Sequence, residues 1–216
     1  MLKNLVAKDF ALSLHPAMSI WLLMGALLLI PTWPYYIAFA YVFLNVMLLY
    51  QMDRVNQDLL FTAMLPGRKR DIPAARTTTV CIMELAFVAV SIPFAIGWNF
   101  LYTAENPISM NLNVAFYGTV FLMYALFNAI FLPWFYRSLY SFLAPLLVGS
   151  LVPVFVVAGL NTLVIVVPAL DGLFNDRGLG HLGYQVLALG VGVLAWLGAS
   201  LWASARSGAN IEKADL

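Results

Sequence analysis

The residues able to do chemistry are few, and they fall into three groups. Glu84 is a lone carboxylate within a long apolar run, eight residues beyond Arg76 and so about 12 Å deeper along a helix. A carboxylate at that depth marks a functional site by default, because an unpaired charge in lipid is costly. It is expected to line an internal pathway or gate, to pair with Arg137, or to be protonated and bonded to a neighbouring carbonyl. Asn45, Asn99, Asn128, Asn161 and Thr119 lie at similar depth and should face a bundle interior, serving either interhelical hydrogen bonds or contacts with a passing molecule. The second group is the charged stretch from Asp53 to Arg76. The third is a set of isolated nucleophiles and imidazoles. Ser200, in Gly198-Ala199-Ser200, needs a base within hydrogen-bond reach to act in hydrolysis. His15 and His181 are expected near opposite membrane faces, so His15 is the only conceivable partner. Cys81, the single cysteine, has no second thiol for a disulfide or a thiolate metal site. No HExxH spacing and no GxxxxGK[ST] loop occurs, so any energy for work comes from another molecule.

The elements that position these groups follow from composition. Of 216 residues, 63% are hydrophobic and 10% charged, against about 25% charged in an ordinary soluble domain. A soluble fold of this length could not hide so much apolar surface. Lysine and arginine number 11 against 10 acidic residues, which leaves no charge excess to attract nucleic acid. The fold class expected is an all-α integral membrane protein, one domain over 1–216, embedded in the lipid bilayer. Apolar runs near the ~20-residue length of a membrane-crossing helix occur at 17–33, 34–51, 73–102, 113–136, 139–165 and 184–205. They lack the alternating period of a membrane barrel.

Charge gives the orientation. With six spans and both termini inside, Lys3, Lys8, Arg54, Arg68, Lys69, Arg70, Arg76, Arg137, Arg206 and Lys213 are cytoplasmic, and only Arg177 is external. That is a strong positive-inside bias. Trp33, Tyr35, Tyr36, Trp98, Tyr102 and Tyr184 fall at the outer boundary, with Tyr50, Trp134, Tyr136, Tyr140 and Trp202 at the inner one, as interfacial belts.

Residues 1–16 predict an amphipathic interfacial helix, with Leu2, Leu5, Val6 and Phe10 on one face and Lys3, Asn4 and Lys8 elsewhere. The fifth apolar run continues to Ala169, about 46 Å as one straight helix and too long for a core of ~30 Å. Pro153 and Pro168 are expected to break it into a span and a short re-entrant or surface helix. In the sixth span Ala188, Gly192, Ala195, Ala199 and Ala203 form a small-residue face suited to close helix packing.

Residues 52–72 form the one substantial cytoplasmic loop. Asn56 is expected to cap a short helix that carries Leu59, Leu60, Phe61, Met64 and Leu65, and Pro66-Gly67 stops it. Asp71 is expected to cap, and Pro73 to open, the next span. A short apolar-faced helix held between two spans suits docking in a partner's groove. The basic run Arg68-Lys69-Arg70 equally suits anionic lipid.

Leu65-Pro66-Gly67-Arg68-Lys69-Arg70-Asp71-Ile72, followed by Arg76, resembles the LP-x-x-R-x-D-I-V-x-x-R signature of bacterial ATP-binding-cassette transporter permeases of the type-2 exporter membrane family. The resemblance extends over the whole layout. The chain departs from it at Pro73, where an aliphatic residue is common, and at Gly67, where a small polar one is. The resemblance implies a permease of the inner cell membrane, pairing as a homodimer with separate ATPase subunits that use ATP and Mg, with no cofactor in this chain. It further implies that Asp58, Leu59, Leu60, Phe61, Met64 and Leu65 form a coupling helix flanked by Arg68, Arg70, Asp71 and Arg76, and that export of an amphipathic or hydrophobic substrate follows. Glu84, Asn45, Asn128 and Asn161 are then the candidates for pathway or gating roles. Other readings are a small-molecule capture subunit of an importer and a non-transporting membrane assembly factor.

Overall fold

The computed structural model describes residues 2–13, 17–64, 67–102, 106–138, 141–178 and 180–213. Among these every regular element is helical, and five helices are long and apolar enough to cross a membrane. The chain is therefore an all-α, multi-pass membrane protein. His15, Leu65, Pro66 and Tyr140, singled out above, lie outside the described residues, as does the first residue of the run 139–165.

Helix α1 (Leu2–Lys8) leads into a π-helical turn at Asp9–Ser13. The first predicted span differs from expectation. It consists of α2 (Ala17–Leu22) and a 3₁₀ stretch, Leu23–Leu29. Together these cover about 23 Å, because a 3₁₀ helix rises ~2.0 Å per residue against ~1.5 Å for an α-helix. The thinner helix lets Gly25 approach the helix at Asp71–Leu101 closely, and a Cβ there would sit 3.2 Å from the Phe94 ring. The segment then turns at Thr32, in the left-handed region at φ 61°.

Helix α3 (Tyr35–Val55) starts after Pro34 and runs past the expected end of its span. Asn56 terminates it instead of capping the next helix, and Gln57, with φ 50°, makes the turn. The short α4 (Asp58–Met64) follows. Helix α5 (Asp71–Leu101) begins at Asp71, so Asp71 is its first residue and not its cap. Pro73 lies in the first turn, where a missing N–H is harmless. Helices α6 (Val114–Arg137) and α7 (Leu143–Val166) follow. Pro153 does not break α7, which runs straight through it. Proline is tolerated inside such a helix where neighbouring helices satisfy the freed backbone. The break comes at Pro168, with the single turn α8 (Pro168–Leu170) and a π-helical turn at Asp171–Asn175. Helix α9 (Leu182–Ile211) completes the bundle.

Helix α6 is the most enclosed of the five. Its Phe116, Phe121, Tyr124, Phe127 and Phe131 are all buried. Phe127 stacks on Phe43 of α3 with ring centroids 4.2 Å apart. On its other side α6 meets α9 backbone to backbone. A Cβ on Gly118 would lie 2.6 Å from the Ala188 carbonyl oxygen, and one on Gly192 would strike the Gly118 carbonyl. The small-residue face of α9 thus serves packing within the chain. Tyr35, Tyr50, Trp98 and Tyr136 sit near the helix ends as expected, but they point into the core and not outward as a belt.

Contacts define the two ends of the bundle. At one, Lys8 meets Asp58, Arg70 meets Glu212, and Asn210 donates to the Pro133 carbonyl at 2.8 Å. At the other, an asparagine-rich cap joins the loops: Asn106 donates to the Trp33 carbonyl at 2.8 Å and Asn111 to that of Asn175 at 2.8 Å. Between these ends the N-terminal segment follows α5, from the Asp9–Thr79 hydrogen bond to the contact of Leu29 with Gly97. From Thr79 to Gly97 is about 27 Å of helix.

Candidate functional site

Helix α4 presents two faces. Thr62 is buried and Leu59 packs on the core, whereas Leu60, Phe61 and Met64 are 43%, 62% and 83% exposed. The exposed three fall at positions i, i+1 and i+4, one side of a helix. The result is an apolar patch beyond the end of α3, on a helix shorter than two full turns.

A buried charge cluster holds this helix in place. Lys8 Nζ lies 2.6 Å from Asp58 Oδ2 and donates to Thr62 Oγ1 at 2.8 Å. Arg76 Nη2 lies 2.5 Å from Asp53 Oδ2 and 3.4 Å from both Asp9 Oδ1 and Asp58 Oδ2. Its guanidinium carbon sits 5.7 Å from the centre of the Tyr50 ring, within range of a cation–π attraction. Thr79 Oγ1 donates to Asp9 Oδ2 at 2.9 Å. Burial pushes the Asp9 carboxyl above its ordinary range, with Arg76 pulling the other way. All of these groups except Thr79 border a cavity of about 220 Å³ that Tyr136 also lines.

The cluster therefore ties together the N-terminal segment, α3, α4 and α5. Removing one partner of a buried ion pair typically costs about 3–5 kcal/mol, because the other charge is left uncompensated. That full cost does not attach to displacing α4 alone, because Lys8 and Asp58 are partly exposed and Arg76 keeps Asp9 and Asp53. The contacts that tie α4 to α5 and the N-terminal segment are Lys8–Asp58, Lys8–Thr62 and Arg76–Asp58. Of the flanking motif, Arg76 is the centre of the cluster and Arg68 is exposed at the surface. Arg70 pairs with Glu212, donating from Nη2 to Oε2 at 2.6 Å, which holds the Glu212 carboxyl below its usual range. Asp71 is half-buried in the first turn of α5, where an acidic side chain complements the helix dipole.

Glu84 lies in a second, separate cluster. It is 0% exposed, and its Oε2 accepts from Trp196 Nε1 at 2.7 Å and Asn128 Nδ2 at 3.1 Å. Asn128 Nδ2 also reaches Ser200 Oγ at 3.1 Å. Of the three alternatives for Glu84, the pairing with Arg137 is not formed, since Arg137 lies exposed at the end of α6. The four side chains instead join α5, α6 and α9 across the bundle interior. Asn45 is buried on α3, apart from this group. Asn161 serves the asparagine cap: its Oδ1 accepts from Met110 N at 3.3 Å, and its Nδ2 donates to the Val157 carbonyl at 3.0 Å. His181 contacts Asp176 Oδ2 at 3.2 Å, at the end of the bundle remote from Ser200. No serine–histidine pair exists among the described residues.

Sequence reasoning missed Asp9 and Asp53 as partners of Arg76, Lys8 as the partner of Asp58, and Trp196 and Ser200 as partners of the Glu84–Asn128 pair. The signal for the first was available. Lys8 and Asp9 are adjacent opposite charges in a helix otherwise read as apolar on one face, and Asp53 follows directly on a span. For the second, only the depth of Ser200 hinted at its role. No protein-family model, no curated protein and no solved structure matches this chain. Its function has to be argued from the residues themselves.

Proposed function

We propose that the chain is the membrane-spanning subunit of an ATP-binding-cassette exporter. In this reading it crosses the inner cell membrane of a bacterium six times, with the N-terminal segment as the first crossing and both termini cytoplasmic. Two copies pair with separate ATPase subunits, which bind ATP and Mg. The observation that carries the reading is α4: an exposed apolar patch on a helix anchored through Asp58 to buried Arg76. The signature-like run through Asp71 and Arg76 supports the same assignment.

Transport follows from rigid-body transmission. ATP binding closes the ATPase pair and displaces α4, seated in its groove through Leu60, Phe61 and Met64. Lys8 and Arg76 carry that displacement to the N-terminal segment and α5. The tilt of α5 against α6 and α9 then alternates access to a pathway between the two copies, a switch between packed states. An amphipathic or hydrophobic substrate that binds the two states differently is thereby moved outward.

Co-purification tests this. The chain tagged at its C-terminus and solubilised from its native host retains an ATP-binding-cassette ATPase. The Phe61→Asp/Met64→Asp variant loses it by ~30-fold or more, as expected for about 2 kcal/mol of lost anchoring. Absence of any such ATPase from the wild-type complex contradicts the proposal.

A further inference from the structure

A second cavity, of about 610 Å³, opens between the ends of α6 and α9, bordered by Trp134, Arg137, Trp202, Arg206, Asn210 and Lys213 together with Ile130 and Pro133. Its chemistry is unlike that around Arg76. Three cations border it and, among the described residues, no carboxylate does. Arg137, Arg206 and Lys213 are all exposed, and none forms an ion pair with an acidic side chain among the described residues. The carboxylate nearest in sequence, Glu212, turns away to Arg70.

The walls are fixed in position. Asn210 Nδ2 donates to the Pro133 carbonyl at 2.8 Å, clamping α9 to α6 directly beneath the cations. Trp134 and Trp202 are exposed beside them, and further along the same helix faces Ile130 and Leu126 of α6 and Ala195 and Val191 of α9 continue an apolar surface toward the middle of the bundle. A cationic ring above an apolar track suits an amphipathic anion, with the phosphate held by the ring and the hydrocarbon lying along the track. Tryptophan favours the boundary between headgroups and acyl chains. Basic pockets between membrane helices bind anionic headgroups, and each cation near such a surface contributes about 1 kcal/mol.

We infer that this cradle binds one anionic phospholipid, its headgroup phosphate among Arg137, Arg206 and Lys213 and its chains along α9. The inference does not depend on the transport reading. Native mass spectrometry of the full chain in detergent, titrated with phosphatidylglycerol or phosphatidylcholine, tests it. The wild type retains phosphatidylglycerol in preference to phosphatidylcholine. The Arg137→Gln/Arg206→Gln/Lys213→Gln variant loses that lipid by on the order of 100-fold, the combined effect of three such cations. Arg68→Gln/Lys69→Gln, basic residues of the same end but outside the cradle, retains it, and so does Arg137→Lys/Arg206→Lys. Equal retention of the two lipids by the wild type overturns the inference, whatever the variants do. So does retention by the triple variant, or an equal loss from Arg68→Gln/Lys69→Gln. Displacement of the lipid by an equal concentration of inorganic phosphate also overturns it, by making the cradle a site for the free anion.

Discussion

Glu84 is a single buried carboxylate whose hydrogen-bond donors, Trp196 and Asn128, come from two other helices. Depth alone marks it. What it bonds to depends on which side chains of α6 and α9 face it, and Trp196 lies more than a hundred residues further along the chain. Replacing Glu84 with leucine removes the acceptor for Trp196 Nε1 and one acceptor for Asn128, and a buried donor left unsatisfied costs about 1–3 kcal/mol. Glu84→Leu is therefore expected to lower the thermal unfolding midpoint in detergent. Glu84→Gln, which keeps the shape and a carbonyl oxygen for Trp196, retains most of the stability. Equal losses from the two would show that the acceptor offered to Trp196 is not what stabilises this junction. Arg76 presents the same problem of legibility. Its charge and place in the loop motif were visible, but its carboxylates come from three other elements, and long-range pairing has no periodicity to read.

At the scale of elements, the tightest junction is that of α6 with α9, where Gly118 and Gly192 meet backbone to backbone. Gly192→Val drives a branched side chain into the Gly118 carbonyl. Overpacking of this kind typically costs about 1–3 kcal/mol. Gly198→Val, at a position of the same helix with open space around it, serves as the control. Loss of monodisperse protein on size exclusion is expected for the first substitution and not for the second. The small-residue face that forms this junction was legible in the sequence, as were the long apolar helices and the short α4. Helix ends were not. Polar Asp53 and Arg54 read as loop, yet α3 continues through them, because Asp53 finds Arg76 and so tolerates its burial. Pro153 read as a break, but α7 continues through it. The first apolar run, 17–33, read as an ordinary helix, whereas close contact of Gly25 with α5 accompanies a narrower 3₁₀ form that no hydropathy pattern distinguishes.

For the molecule as a whole, two claims belong together: six crossings, and a single end at which α4 meets an ATPase. The first is checked by single cysteines in a Cys81→Ser background, labelled with a membrane-impermeant maleimide on intact cells. Cysteine at Ile108 is expected to label, while cysteine at Lys3 or Lys213 is expected to label only after permeabilisation. Labelling of just one of the two terminal positions from outside would show an odd number of crossings. The second claim is the central one, and site-specific photo-cross-linking in living cells tests it most directly. A benzophenone side chain is placed at Phe61, on the exposed face of α4, or at Phe100, 86% exposed near the opposite end of the bundle. Adducts are then identified by mass spectrometry. The account predicts an ATP-binding-cassette ATPase joined to position 61 and none at position 100. No ATPase adduct at position 61, or equal adducts at both positions, would contradict it.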